Sequence, residues 1–75
     1  MELYEGPWVD SAAQNTPHHV QVFWIENQTG DYYFCIIDGS RFYHLYVEDG
    51  VWQDRDRGID SWATQLGSLI ESLIY

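Results

Sequence analysis

Cys35 and His44 are the two side chains whose chemistry would matter most if the fold placed them together. An imidazole beside a thiol stabilises the thiolate, the form that attacks electrophiles and binds metals. Both residues lie in strand-like runs, and a two-residue turn at Gly39-Ser40 would set them opposite each other. No third group is in view to orient the imidazole. Mid-strand positions also lack the oxyanion donors of a loop or helix start. The pair therefore reads as a buried cysteine and a satisfied histidine. His18-His19 is the other histidine feature, but neighbours on a strand point to opposite faces and cannot share one ion. No spacing among Cys35, His18, His19 and His44 resembles a zinc site, and no phosphate loop, nucleophile elbow or paired-carboxylate motif occurs. The expectation is a protein that is not an enzyme, with no metal and no cofactor.

The carboxylates form the stronger constellation. Twelve Asp and Glu face three Arg and no Lys, a net charge of −9 on 75 residues. Glu2, Glu5, Asp10, Glu26, Asp31 and Asp38 all precede the first arginine, Arg41. Like charge at this density repels nucleic acid and anionic membranes and attracts basic protein surfaces. Salt adaptation would also favour acidic residues, but the content of Trp, Tyr and Ile does not suit it. Glu26, Asp31, Glu48 and Asp49 flank two predicted turns, and Asp54, Asp56 and Asp60 continue the field, tempered by Arg55 and Arg57. A calcium ion could relieve such a cluster, yet the spacing matches no calcium loop.

The elements that must position these groups follow from the pattern of the chain. Residues 1–18 read as an irregular arm punctuated by Gly6-Pro7 and Pro17, with one possible helical turn after Asp10 or Ser11. From His19 the chain alternates aromatic and β-branched runs with short Gly-containing breaks, which is a hairpin signal. Strands are predicted over 19–27, 31–38, 41–48 and 51–54. Asp49-Gly50 suits a two-residue turn because both residue types tolerate positive φ. After Asp60 or Ser61, apolar residues Trp62, Leu66, Leu69, Ile70, Leu73 and Ile74 recur at helical spacing. Gly67 is the one weak residue, costing that helix about 1 kcal/mol relative to Ala. The fold class is α+β: an antiparallel meander of three to four strands (19–54), a C-terminal helix (60–75) on one face, and the arm, all within one domain.

Registering the hairpins predicts the two faces. A turn at Gly39-Ser40 pairs Asp38 with Arg41 and Cys35 with His44, while a four-residue turn at 27–30 pairs Phe23 with Phe34. One face then collects Phe23, Phe34, Ile36, Tyr43, Leu45 and Trp52, and the helix is expected to cover it. The other collects Val20, Val22, Cys35, Ile37, Phe42 and His44. It is too apolar to stay bare, so the arm, through Leu3, Tyr4 and Trp8, or a second copy or a partner, is expected to cover it.

A single cysteine, the acidic N-terminus and the lack of a long apolar run point to a soluble cytoplasmic protein. In size, charge and plainness the chain is similar to phage-encoded inhibitors that block host nucleases, DNA-repair enzymes, restriction enzymes or CRISPR complexes. It also resembles small acidic immunity proteins that neutralise basic nuclease toxins. The resemblance lies in composition over the whole chain and transfers no residue roles. It implies a non-enzymatic inhibitor, with anti-CRISPR or anti-restriction activity in the host cytoplasm, that mimics nucleic-acid charge on a basic protein surface. The immunity role and a small dimerising structural module are the alternatives. The expected partner-binding residues are Glu26, Asp31, Glu48, Asp49, Trp52, Asp54 and Asp56, with Trp24 and Tyr46 as further aromatic anchors.

Overall fold

In a computed structural model, which describes residues 1–28 and 30–75, the chain forms five antiparallel strands in simple meander order and one C-terminal helix. The strands are β1 (Glu2–Asp10), β2 (Thr16–Ile25), β3 (Tyr32–Ile37), β4 (Arg41–Glu48) and β5 (Val51–Asp54), followed by α1 (Ser61–Ile74). The α+β meander with a helix on one face is as the sequence predicts. No helix among the described residues is long and apolar enough to cross a membrane.

The N-terminal segment is the first correction. Residues 2–10 are not an irregular arm but an edge strand paired along β2, from Glu2 opposite Phe23 to Asp10 opposite Thr16. Pro7 is tolerated there because an edge strand need not donate on both sides. Gly6 is matched to its neighbour, since a Cβ there would lie 2.9 Å from the Tyr4 hydroxyl, which donates to the Pro7 carbonyl at 2.6 Å. Residues 11–15 form a turn rather than a helical one, with Gln14 and Asn15 both at positive φ. Trp8 and Tyr4 do reach Val20 and Val22, but from an added strand beside β2, not from an arm laid across the sheet.

The β3–β4 register is the second correction. The connection uses three residues, Asp38 to Ser40, so that Ile37 pairs with Arg41, Cys35 with Tyr43 and Phe34 with His44. Asp38 leaves the ladder because its carboxylate serves β2. It accepts from the His19 amide at 3.0 Å and lies 2.6 Å from His18 Nδ1, in a left-handed conformation that Asp tolerates. Its carboxyl is held below the ordinary 3.8 by those contacts, the His19 amide first. One residue of slip exchanges the faces of a strand. Tyr43 and Leu45 thus join Val20, Val22, Cys35 and Ile37, and α1 covers that face rather than the Phe23–Phe34 face.

The helix begins as its sequence indicates. The Asp60 side chain caps it, accepting from the Ala63 amide at 2.7 Å, and also accepts from the Tyr43 hydroxyl at 3.0 Å. Burial, and then this carboxylate, push the Tyr43 phenol up to about 12. Ala63, Leu66, Gly67 and Ile70 face the sheet. Asp10 is buried at the end of β1 and joins β1 to α1, accepting from Gln65 Nε2 at 2.9 Å and Trp62 Nε1 at 2.5 Å. These bonds, Gln65 first, hold its carboxyl below 3.8. Beside it Trp62 meets Trp8 and His18 edge to face, while Trp8 and His18 are tilted against each other.

Candidate interaction surface

The slip in register separates Cys35 from His44, which the sequence set opposite each other. Cys35 is fully buried on the helix side, where burial pushes its thiol up to about 12, far from a usable thiolate. His44 projects from the opposite side of the sheet, between Phe34 at 4.8 Å and Tyr32 at 5.8 Å. His18 and His19 are separated in the same way: one meets Asp38 and the other lies 3.2 Å from Glu5. Among the described residues no group of three or more His, Cys, Asp or Glu is placed to hold a metal ion.

The seven residues expected to bind a partner divide into two sets. Glu26, Asp31, Glu48 and Asp49 are all exposed, and the meander brings their two turns to the same end of the sheet. Asp49 and Gly50 both have positive φ, as the two-residue turn requires. Ion pairs among the described residues involve none of these four acids. Glu2 joins this end because β1 is a strand, which the arm reading concealed. Trp52, Asp54 and Asp56 do not belong to it.

Trp52 is a core residue. It lies under Gly67, at 5.6 Å from the Tyr33 ring, and donates to Glu71 at 3.2 Å. Asp54 is 1% exposed and organises the turn after β5. Its carboxylate accepts from the amides of His44 at 2.7 Å, Asp56 at 3.1 Å and Arg57 at 2.9 Å, and from the Arg57 guanidinium at 3.2 Å. Asp56 is exposed beyond β5, where its nearest cation is Arg55 at 3.8 Å. Trp24 shares the face of Val22, by strand alternation, and is only half-buried.

The sheet face away from the helix is where aromatic residues stand uncovered. Phe23, Phe34, Phe42, Tyr32, His44 and Tyr46 alternate onto it, with Ile25 and Ile36 between them. Phe34 is the centre, stacked on Phe42 at 5.7 Å with ring planes 8° apart and 6.5 Å from Phe23. Phe42 remains 48% exposed, so these rings shield one another without being buried by another element. Next to the acidic turns the face dips into a hollow of about 440 Å³ lined by Asp31, Tyr32, His44, Tyr46 and Arg55. A second hollow, of about 420 Å³, lies near the start of the helix, but its Asp10 and Asp60 are already bonded to Trp62 and Tyr43.

The site is thus an open, partly exposed aromatic sheet face with carboxylates along one end. Comparison with protein-family models, curated proteins and solved structures finds no match to this chain.

Proposed function

We propose that the protein is a non-enzymatic inhibitor that occupies the basic, nucleic-acid-facing surface of another protein. Targets of this class include nucleases, restriction and DNA-repair enzymes and CRISPR complexes, against which phages direct small acidic proteins. The observation that carries the proposal is the acidic end of the sheet, where Glu26, Asp31, Glu48 and Asp49 converge without ion pairs among the described residues. Like charges left together oppose folding, and a basic partner relieves them. A toxin-immunity role uses the same complementarity. A dimerising module would use the uncovered aromatic face, but each copy carries a net charge of −9, which opposes self-association.

Affinity capture with the immobilised chain tests the proposal, followed by identification of the retained protein and elution with salt or with duplex DNA. The expected result is a nucleic-acid-binding protein that duplex DNA displaces and whose retention falls steeply with salt. Reversal of charge at Asp31 and Glu48 to Lys should slow its association by about tenfold or more, with little change in dissociation. At Asp49 the left-handed backbone makes Asn the suitable neutral replacement. A partner that DNA does not displace, or retention indifferent to salt, would contradict charge mimicry.

A further inference from the structure

The chain uses its few arginines in a revealing way. On the helix side, the Arg57 guanidinium lies 4.2 Å from the Tyr43 ring centre and the Arg41 guanidinium 5.1 Å from that of Trp62. Each is a cation–π contact at the margin of the core. The rings of the open face carry no such contact among the described residues, although they are more numerous and less covered. Arg55 reaches the hollow beside His44 and Tyr46, where its nearest carboxylate partner is Asp56. Among the described residues the open face therefore offers aromatic planes with no guanidinium stacked on them, next to the unpaired carboxylates of Glu26, Asp31, Glu48 and Asp49.

We infer that the open sheet face docks arginine side chains of a basic protein partner, with one guanidinium entering the hollow between Tyr32, Tyr46 and Asp31. This rests on the proposed basic-partner function and assigns it a face and a side-chain type. Arginine fits both features, because its planar guanidinium stacks on aromatic rings and pairs with carboxylates in bidentate fashion, while the lysine ammonium does neither as well. Charge complementarity selects this occupant over a second copy, since a second copy carries the same net charge of −9 and Glu5, Glu26, Asp31 and Glu48 border the same face. Arg55 is an opposing charge at the hollow itself, and it makes the sign of the effect testable.

The test titrates the labelled protein with an oligo-arginine peptide and with an oligo-lysine peptide of equal length at low salt, following backbone and aromatic NMR signals. The arginine peptide should bind about fivefold more tightly and shift Tyr32, Phe34, Phe42, His44 and Tyr46. Phe42→Ala, at an exposed ring, and Asp31→Asn should each weaken it by severalfold, whereas Arg55→Ala should strengthen it. Equal binding of both peptides with shifts confined to Asp56, Asp60 and Glu71 would overturn the assigned face while leaving a basic partner in place. Failure of both peptides to bind would remove the basic-partner reading itself. Weakening by Arg55→Ala would show that Arg55 supports the bound peptide instead of opposing a guanidinium in the hollow, and self-association through the aromatic face would show a second copy; either result overturns the inference.

Discussion

Replacing Gly67 with alanine is expected to destabilise the protein by about 2 kcal/mol, although alanine is the better helix former by about 1 kcal/mol. A Cβ at position 67 would lie 2.1 Å from Cγ of Trp52 and 2.4–2.5 Å from Cδ1 and Cδ2. These are ring atoms near the root of a buried side chain, not the free end of a flexible one. Relief requires either the helix to lift or Trp52 to leave its place beside Tyr33. Overpacking of a core typically costs about 1–3 kcal/mol, and this contact is closer than a small adjustment can absorb. A domain of this size gains only about 3–5 kcal/mol from its core, so the loss is a large share of the whole. Urea unfolding followed by Trp fluorescence should show a lower midpoint at unchanged slope, and valine should be worse than alanine. A stabilised Gly67→Ala variant would mean that α1 does not rest on Trp52.

Asp54→Ala is expected to cost about 3 kcal/mol or more, because three backbone amides and a guanidinium lose their acceptor together. The His44 amide is in the sheet, so the loss reaches from the turn into β4. Asn keeps one carbonyl oxygen but turns an NH₂ group towards donors, and should fall between Ala and the parent. Near-UV circular dichroism and thermal unfolding report the effect. If Asp54 were instead a partner contact, Asp54→Ala would retain its melting temperature and lose only binding.

These two positions show what could be read in the chain and what could not. The β2–β5 runs and the helix cap at Asp60 were legible because alternation, turn residues and helical spacing are local signals. In β1 the same alternation was present in Tyr4, Gly6, Trp8 and Asp10, but Gly6-Pro7 suggested a break. The Gly6 gap is filled by Tyr4, a relation visible only in three dimensions. The hairpin register failed for a similar reason. Asp38-Gly39-Ser40 admits a two- or a three-residue turn, and the choice is made by hydrogen bonds from β2, a different hairpin. That one-residue difference moved His44 away from Cys35 and decided which face the helix covers.

For the site, the convergence of Glu26, Asp31, Glu48 and Asp49 followed from topology alone and needed no register. Trp52 and Asp54 needed one. Charge and aromatic character suggested binding for both, whereas depth in the fold makes the first a packing residue and the second an acceptor within a turn. Asp54 carried a faint signal, since Asp followed by Arg-Asp-Arg-Gly suits a side chain that caps its own turn.

The proposed docking surface exists only on the side of the sheet that the helix leaves open, and nuclear Overhauser contacts from the helix measure that side directly. Leu66 and Ile70 should show contacts to Val22, Cys35, Leu45 and Trp52, and none to Phe23, Phe34 or Phe42. Contacts from those helix residues to Phe34 or Phe23 would place α1 over the aromatic face, and the proposed docking surface would not exist.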